Sequence, residues 1–357
     1  MTSGPVRVSV FAKTDLGRTR DHNEDTFLVA DLSSGHASLQ PEVRDHAIGP
    51  RGSLFMVADG MGGAAAGELA SQMAVDLVYR HLSSVWAVDA DTSEERFAFR
   101  MREALEKANQ QIHDYAKQHA EVRGMGTTAT VAGVYGTGLW LAQIGDSRGY
   151  LARDGEVIQL TKDQSLMQRL VDAGELTEEE AEQSERRNII LQALGPDPKV
   201  KVDLTYQPLR RGDTLVICSD GLSSLVRRDE IGDLLRENAD LSSACSALID
   251  LANGRGGPDN ITVVIARFEG DGLDEPGDAS DVGYQEYEVP DSATHATDNF
   301  PPFRPLPAPV PAPVPEPKPP ECVDPPKRSA LPLGLVVGLI AVSLLLLVAR
   351  CGAGTSP

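Results

Sequence analysis

The stretch Thr128-Ala129-Thr130-Val131-Ala132-Gly133-Val134-Tyr135, then Gly136-Thr137-Gly138, then Leu139-Trp140-Leu141-Ala142-Gln143-Ile144 decides how this chain folds. Two apolar segments of strand length flank a short glycine-bearing connection, the pattern of an antiparallel hairpin. Working outward, Val6 to Ala12, Leu54 to Ala58, Val202 to Gln207, Thr214 to Cys218 and Ile261 to Phe268 read as further strands. Ala65 to Leu82, Glu94 to Gln118, Asp163 to Ala173, Asp229 to Glu237 and Leu241 to Ala252 read as helices. The expected class is α+β, with mostly antiparallel sheets and helices packed outside them.

The 357 residues divide by composition. Residues 1–268 are mixed and carry enough Val, Ile and Leu for one large core, so they are expected to form a single domain. From Glu269 to Asp298 there are ten acidic residues and no Lys or Arg, and proline dominates from Pro301 to Pro326. Residues 269–330 therefore read as a disordered linker, acidic and then proline-rich. Leu331 to Ala349 holds no charge and lies between Lys327-Arg328 and Arg350. As a helix it would be about 28 Å long, close to the thickness of a bilayer core. The expectation is a single-pass transmembrane helix at 331–349, a short tail at 350–357, and a cytoplasmic domain held at the inner membrane, since no signal peptide precedes it.

About half of the formal charge of −20 sits in the acidic linker, and acidity on this scale argues against a nucleic-acid partner. Cys218, Cys245, Cys322 and Cys351 have neither disulfide-framework nor zinc spacing, which fits a reducing compartment.

Four apolar runs end or begin at an aspartate: Phe55 to Asp59, Leu141 to Asp146, Leu215 to Asp220, and Asp259 to Ile265. A carboxylate at the end of a buried strand is held at one rim of the sheet. Several converging there would form an all-oxygen site, which suits Mg²⁺ or Mn²⁺ rather than zinc or copper. The loop Asp59-Gly60-Met61-Gly62-Gly63-Ala64-Ala65 also mimics a dinucleotide fingerprint. Against that reading, Asp59 would face a pyrophosphate, and helix continues where a second strand ending in an acid is required.

Arg20, Asn23-Glu24-Asp25, Asp59-Gly60-Met61-Gly62-Gly63, Gly126-Thr127-Thr128, Gly145-Asp146-Ser147-Arg148, Ser219-Asp220-Gly221 and Asp259-Asn260-Ile261-Thr262 occur in that order. As a set they resemble the PP2C-type (PPM) metal-dependent serine/threonine protein phosphatases, in particular the bacterial membrane-anchored type, over about residues 6 to 268. The resemblance implies a four-layer α/β/β/α sandwich of two mostly antiparallel sheets flanked by helices. It implies hydrolysis of phosphoserine and phosphothreonine by water activated at a pair of Mn²⁺ or Mg²⁺ ions, with a weaker third, in opposition to Ser/Thr protein kinases. Asp59 would bridge the two ions, with the Gly60 carbonyl on one, and Asp220 and Asp259 on the other. Glu24 and Asp25 would act through coordinated waters, Asp146 would hold the third ion, and Arg20 would grip the substrate phosphate. A catalytically inactive, membrane-tethered phosphopeptide-binding module is the other reading the same motifs allow.

Two positions depart from the family pattern. Met61 stands where many relatives carry a histidine proposed as proton donor, which leaves the donor unassigned, with His22 near in sequence but equally a surface turn residue. In the segment corresponding to the family's flap, Gly174 to Asn188, Ser184-Glu185 replaces the usual His-Pro, and Asn188 and Asn260 are further candidate oxygen donors.

Overall fold

The computed structural model describes residues 4–294 except 183, 185 and 187. Thirteen strands follow in chain order. They are β1 (Arg7–Asp15), β2 (Asp25–Asp31), β3 (His36–Ser38), β4 (Arg44–Ala47), β5 (Ser53–Met61), β6 (Gly126–Thr127), β7 (Ala129–Tyr135), β8 (Gly138–Ile144), β9 (Arg148–Arg153), β10 (Glu156–Gln159), β11 (Asp203–Pro208), β12 (Thr214–Cys218) and β13 (Ile261–Glu269). The helices are α1 (Ala64–Ser84), α2 (Glu94–Gln118), α3 (Leu166–Asp172), α4 (Glu178–Glu182), α5 (Asp220–Ser223), α6 (Arg228–Glu237) and α7 (Leu241–Gly254).

The strands form two sheets. One runs β10-β9-β12-β13-β1-β4, the other β11-β8-β7-β5-β2-β3 with β6 on β5, and every pairing between these strands is antiparallel. The hairpin around Gly136-Thr137 is β7 with β8, Tyr135 pairing with Gly138.

Three apolar layers explain why the strands read as unbroken apolar runs rather than alternating ones. On β5, Phe55 and Val57 face the other sheet while Leu54, Met56 and Ala58 face α1 and α2. On β13, Val264, Ala266 and Phe268 point between the sheets, and Ile261, Val263 and Ile265 pack on α7. A strand covered on both faces has no polar side to show. The order helices, sheet, sheet, helices is the expected α/β/β/α sandwich.

Six of the thirteen strands, β2, β3, β4, β6, β9 and β10, were not read from the sequence, and two departures bear on the argument. Strands β9 and β10 form a hairpin across Asp154-Gly155, where Asp154 adopts φ 50° and Gly155 φ 80°. β10 is a four-residue edge strand with no fully buried residue, too short to show a pattern. The second departure concerns the boundary at 268. Residues 270–294 lie against the domain: Leu273 is fully buried in the layer between the sheets, and Ala279 and Ala293 are buried. The main chain of this strap bonds to β11, with Tyr206 N donating to Gln285 O at 3.1 Å and Tyr287 N to Leu204 O at 2.7 Å. Its acids meet arginines of the domain. Asp281 pairs with Arg153 at 2.9 Å, a buried guanidinium also held by Asp213, and with Arg210 at 3.1 Å. Composition predicted disorder here because it weighs a segment without its partners.

The expected placement in a membrane is corrected. Among the described residues no helix is long and apolar enough to cross one. The two long helices each carry charges along their length, Glu68, Asp76 and Arg80 on α1 and a run from Glu94 to Lys117 on α2. Residues 331–349, on which the expectation rested, lie outside the described residues.

The strap gives a stability prediction. A chain ending at Glu269 should unfold in urea at a lower midpoint than one ending at Thr294, its unfolding free energy lower by on the order of 3 kcal/mol, since burial of one leucine contributes about 1.5–3 kcal/mol. Equal midpoints would show that 270–294 is not integral to the domain.

Candidate metal centre

Register brings the acids together. β2 begins where β5 ends, so Asp25 sits directly opposite Asp59 on the neighbouring strand. Asp220 starts α5 just beyond β12, Asp259 precedes β13, and Gly145-Asp146 follows β8. All five therefore lie at one end of the sandwich. Like charges opposed across a strand pair repel, so the arrangement is destabilising without a counter-charge.

Hydrogen bonds pin the individual groups. Asp25 Oδ2 accepts from Ser219 Oγ at 2.8 Å and from Thr262 Oγ1 at 2.7 Å, while its Oδ1 is buried without a partner. The Asp59 main chain is clamped by Thr128, whose Oγ1 accepts from Asp59 N at 3.0 Å and whose N–H donates to Asp59 O at 2.8 Å. Thr127 Oγ1 also donates to Asp59 O. Glu24 lies across the start of α1, where a Cβ at Gly67 would meet the Glu24 carboxylate and displace it. Arg20 Nη2 donates to Asp259 Oδ2 at 2.7 Å, and the Arg20 side chain is half exposed. Asn260 is buried and staples the loop before β2, with Nδ2 donating to Leu16 O and His22 O, and Oδ1 accepting from Glu24 N at 2.8 Å.

Electrostatics give the site its character. Burial, against hydrogen bonds from Thr262 and Ser219 and with repulsion from Asp220 and Asp259, pushes Asp25 up to about 7. Burial and the charges of Asp220 and Asp163 push Asp146 up to about 8. Asp59 is raised well above the carboxylate range by burial and by Asp25, Asp220, Asp146 and Asp259. Asp220 is raised by burial and Asp259, and Glu24 by burial. Asp25 Oδ1, Asp146 Oδ1 and Asp220 Oδ1 are all buried without a hydrogen-bond partner.

Oxygen atoms that are buried, unpartnered and mutually repelling are what a hard divalent cation stabilises. Among the described residues no three His, Cys, Asp or Glu side chains close on one point. An all-oxygen donor set suits Mg²⁺ or Mn²⁺, which take one or two carboxylates and complete their shells with other oxygens. It does not suit a zinc cage.

The remaining expected donors sit elsewhere. His22 is exposed and serves the site through its carbonyl, and Asn188 is exposed on the segment leading back to the domain. Asn260 acts as the organiser of a loop. Thr128 and Ser147 fall within motifs read from the sequence, whereas the supports Gln143 and Gln164 were not singled out, because each is a single polar residue whose role depends on the folded turn at Gly145.

A two-sheet sandwich with a rim of clustered carboxylates beside an arginine defines a metal-dependent phosphatase. The family model described as Protein phosphatase 2C matches residues 40–256. The chain belongs to the protein phosphatase 2C family. It is 39% identical over 254 residues to the serine/threonine phosphatase stp of Listeria welshimeri, covering 71% of this chain and 93% of that protein. The Mycobacterium tuberculosis serine/threonine phosphatase PstP/Ppp matches in structure with a TM-score of 0.61 and 36% identity, over 74% of this chain and 99% of the other. The catalytic domain of PstP in complex with two manganese ions matches with a TM-score of 0.60 and 34% identity, over 74% and 99%.

The raised carboxylates set a pH dependence. Asp25 and Asp146 hold protons in the cation-free fold up to about pH 7 and 8, whereas in the unfolded chain they release them near pH 4. Between those limits the folded state binds more protons, so its stability falls as pH rises. Scanning calorimetry in EDTA should give a lower Tm at pH 8 than at pH 5, and excess Mn²⁺ at pH 8 should reverse the loss. Asp25→Asn should raise the Tm in EDTA at pH 8; a lower Tm would contradict the repulsion argument.

Proposed function

We infer that this chain hydrolyses phosphoserine and phosphothreonine in proteins, using Mn²⁺ or Mg²⁺, in opposition to Ser/Thr protein kinases. One observation carries the reading: Asp25, Asp59, Asp146, Asp220 and Asp259 converge at one rim beside Arg20, most of them raised by burial and then by one another's charge. Asp59 with the Gly60 carbonyl, Asp220 and Asp259 would hold two ions, Glu24 and Asp25 would act through waters, and Asp146 would hold a weaker third. When bound, the ions offset the charge of the phosphate dianion and acidify a water for attack.

The chain's own residues do the rest. Arg20 presents a planar, permanently charged fork suited to two phosphate oxygens, and Asp259 holds it in place at 2.7 Å. Thr128 and Thr127 fix the Asp59 main chain, and Ser219 and Thr262 fix Asp25. A phosphocysteine route has no candidate among the described residues, since burial pushes the thiols of Cys218 and Cys245 up to about 12. A thiol that does not ionise is a poor nucleophile. Water therefore attacks phosphorus directly, and the seryl or threonyl oxygen leaves. A module that only bound phosphopeptides would have no use for carboxylates that repel one another.

Hydrolysis of a phosphothreonine peptide tests this. Activity should require Mn²⁺ and vanish in EDTA, and Asp220→Ala should lower kcat/KM by on the order of 10³. Arg20→Ala should act on binding, raising KM about 10- to 100-fold, the usual worth of a charge-assisted contact. Equal rates with Mn²⁺, with EDTA and for Asp220→Ala would sink the assignment.

A further inference from the structure

The turn that carries Asp146 is gripped from both sides by two consecutive residues. Asp163 binds the Arg148 guanidinium twice, at 2.7 and 3.0 Å. Gln164 takes hold of Gly145, its Oε1 accepting from Gly145 N at 3.0 Å and its own N–H donating to Gly145 O at 2.9 Å. Gly145 has φ 101°, a conformation natural to glycine, and a Cβ there would press on the Thr128 side chain. Gln143, buried, completes the clamp with Nε2 on Gly145 O at 3.2 Å and on Ser147 O at 3.0 Å.

Gln164 also faces outward. Its carbonyl accepts from Leu191 N at 2.8 Å, and Leu166 N donates to Ile189 O at 2.9 Å, so residues 164–166 and 189–191 pair as a short antiparallel ladder. That ladder returns the chain from the segment 174–188. A few residues on, Leu194 exchanges two main-chain bonds with Thr127, whose hydroxyl donates to Asp59 O. One glutamine thus joins the Asp146 turn to the 189–191 segment by its side chain, its N–H and its carbonyl together.

We propose that Gln164 is a positioning residue that couples cation occupancy at Asp146 to the placement of residues 189–191 beside the site. The proposal rests on the assignment of Asp146 as a cation holder. Rigid groups shared by two elements carry such coupling because displacement of one strains the other. With a cation held at Asp146, the Gly145 peptide next to it would be fixed, and through its bond to the Gln164 side chain so would the Gln164 carbonyl that accepts from Leu191 N. The coupling runs the other way by the same amount, so ordering 189–191 favours cation binding at Asp146.

Hydrogen exchange of the full chain, without substrate, tests this. In the wild type, excess Mn²⁺ should slow exchange of the Leu166 and Leu191 amides about tenfold relative to EDTA, within the usual range for coupled sites. Gln164→Met keeps the length and removes the acceptor, and it should abolish that slowing, as should Asp146→Asn. Gln164→Glu keeps an acceptor for Gly145 N and should restore it. The amides of Val263 to Ala266 report global stability. If they quicken in Gln164→Met as much as Leu191 does, Gln164 is only a structural residue and the proposal fails. It fails equally if Mn²⁺ leaves Leu166 and Leu191 unchanged in the wild type. Phosphopeptide hydrolysis measured in parallel separates the two readings: an inactive wild type overturns the phosphatase assignment, whereas an active one with uncoupled exchange overturns only the role of Gln164.

Discussion

Repulsion between carboxylates held at one rim is the constraint on which the rest of the structure depends. Asp25 and Asp59 are opposed by strand register, and Asp220, Asp259 and Asp146 are delivered to the same end by the termini of three other strands. Their main chains cannot separate without breaking the sheets, because Asp25 and Asp59 lie on paired strands and the others adjoin strand ends. The polar residues around the rim follow from this. Ser219 and Thr262 donate to Asp25, Thr128 and Thr127 hold Asp59, and Asn260 ties the loop that brings Glu24 and Arg20 into place. These groups orient the acids without neutralising them, which leaves the charge for cations to balance. The site is stored strain in electrostatic form, and it is supported by apolar layers on both faces of both sheets.

Much of this was legible in the sequence for a physical reason. A carboxylate closing an apolar run cannot be buried within it, so it marks a strand end, and four such marks located the rim before any coordinates. The hairpin at Gly136-Thr137 and the helix Glu94–Gln118 were legible too, because a turn signal and a long amphipathic stretch, with Ser93 capping its start, speak locally. What could not be read is non-local. Gln164 matters through Gly145 and Leu191, residues far apart in the chain. The hairpin of β9 and β10 had its signal in Asp154-Gly155, but the strand beyond it is short and half exposed. The strap at 270–294 was misread because its acids find Arg153 and Arg210 only in the folded domain.

The strap also shows how charge composition misleads when it is averaged. Asp281 is one of ten acids in a stretch without Lys or Arg, yet it completes the set of partners of a buried arginine. Arg153 spans Asp213 at the start of β12 and Asp281 on the strap, so a guanidinium in the wall of the domain is balanced by residues far apart in the chain. Removing Asp281 would leave that arginine with Asp213 and the Pro208 carbonyl but without its second carboxylate, and buried charges with lost partners are costly.

The same segment has a consequence for association. A terminal strand of a sheet offers a row of open amides and carbonyls to any other chain. Along β11 that row is taken by Gln285 to Tyr287, with Tyr287 edge-on to Trp140 and tilted against Tyr206. The molecule thus supplies its own blocking strand. A shortened form lacking these residues would bare a sticky margin, and its failing would be seen first as clumping in concentrated solution, before any loss of catalytic groups.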